Sequence, residues 1–220
     1  MPTYSTEVEE LEESNATQVE KILDRALELF LKRGIDSVTM AEIANASKIS
    51  ENELYKIFQT KEQLVVRTAT FVWTKRMDSL FPTLLKPKYN TLKGIDQLRD
   101  IFNLFVKLYE KETDSLKFIY LFDAFAVKNK IPKEDMANYE AKILLVKQII
   151  SDAIQKGIAD GTINEKYIEY GEMLYFTLMH TFFCTAQKLS LTGNLLNMDT
   201  KKNGSMQLKL LAELLLKSLG

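Results

Sequence analysis

Hydrophobic positions recur at helical spacing along almost the whole chain. One face of a helix over residues 17–33 collects Val19, Ile22, Leu23, Ala26, Leu27 and Phe30. The same spacing predicts further helices over residues 40–47, 51–58, 61–81, 91–112, 114–128, 133–157, 164–190 and 205–219. No stretch alternates between polar and apolar residues as a half-buried strand would. The pattern therefore predicts an all-α protein of about nine helices.

Composition agrees with this fold class. The chain has 31 Leu but only 9 Val, and leucine favours helices whereas valine favours strands. Most glycines and prolines fall between the periodic segments, where helices stop and turn. Gly171 is the exception, because it lies inside the segment predicted as one helix over residues 164–190.

The chain divides into three predicted regions. Residues 1–16 lack an apolar face and carry five acids without a base, which predicts a mobile acidic extension. Residues 17–64 form the first predicted domain, and residues 65–220 form the second. The formal net charge of −1 and the near-balance of charge in residues 17–64 speak mildly against a nucleic-acid protein, which is usually basic.

Three consecutive helix starts in the first domain carry a capping-box pattern, in which a hydroxyl and a Glu or Gln three residues later satisfy each other's backbone N–H groups. The three pairs are Thr39 with Glu42, Ser50 with Glu53, and Thr60 with Gln63. Two short helices separated by a tight turn follow from the first two boxes. This arrangement is typical of a helix–turn–helix, whose second helix enters the major groove of DNA.

The residues around these boxes resemble the N-terminal domain of the TetR family of bacterial transcriptional repressors. The resemblance rests on Ala26, Leu29, Phe30, Gly34, the run Val38–Ala44, Ile49, Ser50, the run Leu54–Phe58 and the run Thr60–Leu64. It implies a three-helix DNA-binding domain followed by a helical bundle that binds a ligand and dimerises. It also implies a homodimer held by the last two long helices and a palindromic operator in double-stranded DNA.

The resemblance places DNA contacts on eight residues. The phosphate contacts fall on Thr39, Tyr55 and Lys61. The base-reading positions fall on Glu51, Asn52, Glu53 and Lys56, with Lys48 in the turn.

Four of these positions depart from the family's usual residues, and one of them is Asn52, which stands where the family commonly has glycine. Lys48 stands where the family commonly has glycine, and Glu51 and Glu53 place carboxylates at the start of the helix that faces DNA. One interpretation is structural: Glu53 closes a capping box, and Glu51 favours the positive end of the helix dipole. The other is functional, because a glutamate can accept a hydrogen bond from the amino group of cytosine.

Aromatic residues concentrate in the second domain. Most would serve as ordinary core, but a pocket between helices is the usual ligand site of a bundle, so they also predict a small apolar or aromatic effector. The candidate effector-binding residues are Phe102, Phe105, Tyr109, Phe122, Met136, Tyr139, Tyr175 and Met179. The last two long helices are apolar around much of their circumference, which agrees with a dimer interface there.

Catalysis and metal binding find no support. His180 and Cys184 are four residues apart, but the chain has no second histidine or cysteine to complete a metal site. We expect no catalytic residue, no metal and no cofactor. Cys184 is expected to be a buried, reduced thiol, and no segment reads as a signal peptide or a membrane span, which predicts a cytoplasmic protein.

These features predict a ligand-responsive DNA-binding regulator, with repression implied by the resemblance. The alternative is a dimeric ligand-binding or protein-interaction module of the same fold in which DNA binding is weak or lost. The acidic start of the groove-facing helix motivates that alternative.

Overall fold

The computed structural model describes residues 4–77, 87–193 and 201–220, together with residues 82, 84, 195 and 197. Residues 1–3 of the predicted extension and residues 78–81 of the predicted helix over 61–81 lie outside the described residues. The described part of the chain is helical and contains no strand, which confirms the all-α prediction.

Ten α-helices make up this part of the chain. They are α1 (Tyr4–Arg33), α2 (Met40–Ser47), α3 (Glu51–Phe58), α4 (Lys61–Phe71), α5 (Pro87–Thr91), α6 (Gly94–Lys111), α7 (Thr113–Asn129), α8 (Ala137–Ala159), α9 (Glu172–Thr192) and α10 (Lys201–Leu219). A π-helical segment over Val72–Met77 continues α4, and 3-10 turns over Lys133–Met136 and Glu165–Tyr170 precede α8 and α9. No helix in the described ranges is both long and apolar enough to cross a bilayer.

The chain forms two compact units whose boundaries differ from the predicted domains. The first unit comprises Met1–Phe71 and Leu121–Tyr139, and the second comprises Val72–Tyr120 and Glu140–Gly220. The first unit is therefore built from two separate segments of the chain.

The first unit has a core of fully buried side chains. Helix α1 packs on α2 and α4, α3 packs on α2 and α4, and the 3-10 turn over Lys133–Met136 packs on α4. Its fully buried apolar residues include Ala26, Phe30, Ile43, Leu54, Phe58 and Leu64. Because α2 and α3 are only two turns long, this shared core must hold them in place.

Helices α6, α9 and α10 pack together in the second unit. The Phe102 ring stacks on the Phe182 ring with 4.8 Å between centroids, and Phe105 lies edge-on to Phe183 at 6.0 Å. Gly204 on α10 makes room for the buried Tyr109 of α6, since a Cβ at position 204 would lie 2.1 Å from the Tyr109 hydroxyl oxygen.

The start of α6 is capped by residues from another part of the second unit. The Gly94 N–H donates to Oδ2 of Asp160 at 2.8 Å, and the Ile95 N–H donates to Oγ1 of Thr162 at 3.2 Å. The Thr162 hydroxyl and the Gly94 N–H lower the pKa of Asp160. A Cβ at Gly94 would lie 2.0 Å from the Gly157 backbone nitrogen, so the two chain segments meet backbone to backbone.

Several predicted helix boundaries differ from the structure, and two of the differences have a clear physical reason. Helix α1 begins at Tyr4 rather than residue 17, because residues 5–16 include strong helix formers and acids that suit a helix N-terminus. The predicted helix over 164–190 is interrupted at Gly171, whose φ of 48° and ψ of −126° lie outside the helical region. The break leaves a 3-10 turn before α9. The mobility of the extension stays a prediction.

Candidate nucleic-acid interface

The start of α2 is fixed by the predicted capping box and by an arginine. The Glu42 N–H donates to Oγ1 of Thr39 at 3.3 Å, while Oε2 of Glu42 accepts from the Thr39 N–H at 2.8 Å. Arg33, at the end of α1, pairs with Oε1 of Glu42 at 2.5 Å and donates to the Ser37 carbonyl at 3.0 Å. These partners, Arg33 foremost, lower the pKa of Glu42 to about 2. The exposed Thr39 is thus held at the rim of α2.

The turn between α2 and α3 is a Schellman motif centred on Lys48. The Ile49 N–H donates to the Ala44 carbonyl and the Lys48 N–H donates to the Asn45 carbonyl, each at 3.1 Å. Lys48 adopts a left-handed conformation with φ 58° and ψ 40°. Its side chain is exposed in the turn, where a glycine would normally stand.

The second capping box opens α3. The Glu53 N–H donates to Oγ of Ser50 at 3.2 Å. Oε2 of Glu53 accepts from both the Ser50 N–H at 2.8 Å and the Ser50 hydroxyl at 2.7 Å, and these bonds lower the pKa of Glu53. The Glu53 carboxylate therefore has a structural role in starting the helix.

The third box is only half formed. The Gln63 N–H donates to Oγ1 of Thr60 at 3.2 Å, but the Thr60 N–H donates to the Phe58 carbonyl instead of the Gln63 side chain. Gln59, just before this box, has a φ of 51°. The tight turn that connects α3 to α4 redirects the Thr60 N–H away from Gln63.

The outer face of α3 is accessible along its length. Leu54 and Phe58 are fully buried, whereas Glu51, Asn52, Tyr55 and Lys56 are exposed. The Tyr55 side chain is 43% exposed. A two-turn helix with one buried face and a polar outer face has the form that a recognition helix requires.

Lys61 lies at the start of α4 and is half buried. Its Nζ donates to the Asp36 carbonyl at 3.2 Å, and Lys128 pairs with Oδ2 of the same Asp36 at 2.8 Å. Burial lowers the pKa of Lys61, with Asp36 acting against this shift. An ammonium group has three N–H donors, so the bond to Asp36 orients Lys61 and leaves two donors for an anion.

Two arginines that support this interface were missed by the sequence analysis. Arg67 on α4 donates to the Ile57 carbonyl at 3.3 Å and lies 4.6 Å from the centroid of the Phe58 ring, so it holds the end of α3. Burial lowers the pKa of Arg67. Arg33 holds the start of α2. Arg33 is the last residue of α1, and Arg67 lies nearly two turns into α4. Spacing along the chain did not reveal their pairing with Glu42 and with the Ile57 carbonyl, which lie nine and ten residues away.

The sequence of this region matches a known family. Residues 22–68 match the bacterial regulatory proteins of the tetR family. The matched range contains α2, α3 and the turn between them, so the predicted helix–turn–helix lies inside the part of the chain that is similar to the tetR family.

Solved structures resemble the chain over most of its length. A regulatory protein of the tetR family from Rhodococcus has a TM-score of 0.63 at 14% identity, covering 92% of this chain and 97% of that one. The ketosteroid transcriptional regulator of Mycobacterium tuberculosis has a TM-score of 0.60 at 16% identity, covering 89% and 93%. A TetR family repressor of Thermus thermophilus, solved with lauroyl-CoA, has a TM-score of 0.56 at 22% identity, covering 90% and 93%.

These identities are low enough that the likeness is one of fold. No curated protein sequence matches the chain. The similarity to the tetR family therefore rests on the sequence match over residues 22–68, and beyond those residues the likeness is in the helical fold alone.

The predicted effector-binding residues fall in both units. Phe102, Phe105, Tyr109, Tyr175 and Met179 are buried in the second unit. In the first unit, the Phe122 and Tyr139 rings lie 4.9 Å apart between centroids, and Met136 is half buried. Each unit therefore holds its own aromatic cluster.

A groove of about 720 Å³ runs along α8 and the start of α9 in the second unit. Tyr175 lines it, together with apolar residues such as Leu144 and Ile168. Within it, Lys147 pairs with Glu172 at 2.6 Å and lies 5.5 Å from the centroid of the Phe176 ring. The groove combines apolar walls with a charged pair.

The expectation of a buried Cys184 was wrong. Cys184 is exposed on α9, as is His180 one turn earlier. Phe182, which lies between them in the sequence, is fully buried, so His180 and Cys184 lie on the exposed face of α9. Among the described residues, no group of three or more histidine, cysteine or acidic side chains could hold a metal ion.

Proposed function

We propose that this chain is a ligand-responsive transcriptional regulator that binds a palindromic DNA operator as a homodimer and represses transcription there. The observation that carries the proposal is the exposed outer face of α3, held by capped helix ends on a buried core. The TetR-family match supports DNA as the partner. Repression follows the family's usual role, and a cytoplasmic location follows from the same proposal.

The DNA contacts divide by chemistry. Thr39, Tyr55 and Lys61 would bind phosphates, since their polar groups lie at helix starts or on the outer face of α3. Bases would be read from α3 and its preceding turn. The proposed readers there are Lys48, Glu51, Asn52 and Lys56. Glu53, which the sequence analysis also named as a reader, is engaged by Ser50 and is left out of the proposed readers.

A homodimer through α9 and α10 is supported by an exposed apolar stripe. Met206, Leu210 and Leu214 on α10 are 59%, 61% and 57% exposed, and their spacing of four residues places them on one face. Exposed apolar stripes on long helices mark interaction surfaces. A twofold dimer would present two copies of α3 to half-sites separated by about one DNA turn.

The effector would be a small apolar or aromatic molecule bound in the second unit. The buried aromatic residues around Phe102 and the groove lined by Tyr175 support this class. The Thermus thermophilus relative solved with lauroyl-CoA supports an effector with a long apolar part. Such a ligand changes operator affinity only by its different affinities for the two states of the dimer, typically about 1–3 kcal/mol.

Selection from a random duplex pool tests DNA binding directly. The expected result is enrichment of a palindrome that the protein prefers to unrelated duplex by a factor on the order of 10³. Affinity should also fall steeply with salt, because phosphate contacts release counterions. Equal and weak binding to every duplex would instead favour a ligand-binding or protein-interaction module of the same fold.

A further inference from the structure

We propose that Glu51 reads a cytosine in each half-site of the operator, whereas Glu53, two residues later, reads no base. This inference rests on the proposed function, since it assigns the specificity of the same interface. It separates two acids that the sequence places together at the start of α3.

The first step is that the Glu53 carboxylate is occupied. One of its oxygens, Oε2, accepts from both the N–H and the hydroxyl of Ser50, at 2.8 Å and 2.7 Å. Turning this side chain towards DNA would break both bonds and leave the Ser50 N–H at the helix start without its partner. The intramolecular geometry therefore keeps Glu53 as a helix cap.

The second step is that the Glu51 carboxylate is available. Glu51 is exposed, and it makes no hydrogen bond or ion pair within the described parts of the chain. It lies one turn before Tyr55, which is also exposed, so the two residues share a side of α3. A carboxylate at this position enters the groove without losing an existing contact.

The third step is the chemistry of the major groove. An ionised carboxylate can only accept hydrogen bonds, so it is repelled by phosphates and by the acceptor atoms of guanine and thymine. Cytosine presents an amino donor at N4 there, with no adjacent acceptor of its own. Adenine also presents an amino donor, but beside the acceptor N7. Cytosine is therefore the base that best fits Glu51.

The two acids also provide a matched pair of variants. Glu51→Gln and Glu53→Gln each remove one negative charge from the same turn and keep the size of the side chain. Glutamine can close a capping box as glutamate does, so Glu53→Gln should keep α3 intact. Any gain in affinity from the lost negative charge should be similar in both. Only the base preference should distinguish them.

The test selects duplexes from a random pool with the wild-type protein and with each variant. We expect the wild-type protein and Glu53→Gln to enrich a palindrome with cytosine at the same position of each half-site. Glu51→Gln should shift that preference from cytosine towards adenine, because a glutamine amide pairs with both the N6 donor and the N7 acceptor of adenine, and should keep the other preferences. When that C·G pair is replaced, wild-type affinity should fall roughly tenfold or more, and Glu51→Gln affinity should fall by about threefold or less.

Each remaining outcome counts against the inference in a different way. If Glu51→Gln enriches the same base as the wild-type protein at every position, Glu51 reads no base although the proposed function stands. If Glu53→Gln changes the preferred base instead, the roles of the two acids are reversed. If the wild-type protein enriches no palindrome, the proposed function fails and this inference fails with it. Circular dichroism of each variant establishes that α3 and its unit remain folded.

Discussion

Lys48 holds a left-handed backbone conformation, with φ 58°, at the point where the helix–turn–helix reverses direction. A side chain with a Cβ is strained there, whereas glycine is not. We expect Lys48→Gly to raise the free energy of unfolding by about 1 kcal/mol, after the greater flexibility of glycine in the unfolded chain is subtracted. Urea denaturation followed by circular dichroism measures the change.

Lys48→Ala is the control for this prediction. It removes the same charge but keeps the Cβ, so its stability should stay close to that of the wild-type protein. Equal stabilisation by both variants would assign the effect to charge rather than to the backbone.

Glu42 gives a prediction for the dependence of stability on pH. Its pKa is about 2 in the folded protein and 4.5 ordinarily, so the folded state binds this proton less readily than the unfolded state. The resulting stabilisation is fully present above pH 4.5 and is lost as the pH falls towards 2. Glu42→Gln should therefore be less stable than the wild-type protein at neutral pH, and the difference should shrink in acid.

Urea midpoints of the two proteins at neutral pH and near pH 3 measure that difference. A difference that stays constant across this range would show that Arg33 and Thr39 do not act on the ionised carboxylate.

The residues that the sequence predicted best are those whose partners are close in the chain. Thr39 with Glu42 and Ser50 with Glu53 form the predicted capping boxes because three-residue spacing alone brings the groups together. Arg67 was missed because its partner, the Ile57 carbonyl, is brought near only by the packing of α4 on α3. The engagement of Glu53 by Ser50, by contrast, follows from the three-residue spacing of the capping box.

At the scale of helices, capping decided which boundaries could be predicted. Helices α2 and α3 begin and end at the predicted residues, since the caps and the turn at Lys48 are local. Gly171 was recognised as a glycine inside an apolar segment, but a single glycine also occurs within continuous helices, so the sequence did not predict a break there. The early start of α1 depends on helix propensity, which predicts boundaries poorly.

The packing of α10 on α6 makes a prediction at the same scale. Gly204→Ala places a methyl group where the Tyr109 hydroxyl lies, 2.1 Å from the added Cβ. We expect this change to lower the free energy of unfolding by about 1–3 kcal/mol, as overpacking of a core usually does. Thermal or urea denaturation measures the loss.

A double-mutant cycle separates this clash from a general effect of changing α10. In a Tyr109→Leu background the shorter side chain leaves space for the methyl group. In that background, Gly204→Ala should lower the free energy of unfolding by less than it does in the wild-type protein, and the difference should be at least about 0.5 kcal/mol. If Gly204→Ala lowers the free energy of unfolding equally in the two backgrounds, the loss does not come from a clash with Tyr109.

At the scale of the whole molecule, the sequence predicted the fold class, whereas the division into domains at residues 16 and 64 stays a prediction. The aromatic residues grouped as one effector site belong to two units, because Phe122 and Tyr139 lie in the segment that packs with the N-terminal helices. No local pattern in residues 121–139 indicates that they belong to the first unit, because this depends on contacts with residues far away in sequence.

The proposed dimer gives a prediction with a matched control. Leu210 on α10 and Leu145 on α8 are 61% and 59% exposed, so neither supports the core of its own protomer. Leu210→Glu should shift the protein from dimer to monomer and abolish binding to a selected palindrome, because it places a charge in the apolar interface. Sedimentation velocity and a binding titration measure the two effects.

Leu145→Glu should remain a dimer and bind DNA as the wild-type protein does. If it dissociates the dimer while Leu210→Glu does not, the interface lies on α8 instead. If both variants stay dimeric, the stripe on α10 is not the interface.

Because the first unit is built from two separate segments, a DNA-binding domain cannot be exchanged between related regulators as one continuous fragment. A fragment that ends at Phe71 omits residues 121–139, and with them the Lys128 ammonium that pairs with Asp36 beside Lys61. A chimera joined only at that point would combine the N-terminal helices of one regulator with residues 121–139 of another. Both segments would have to be exchanged together for the DNA-binding unit to keep contacts such as the Lys128–Asp36 ion pair.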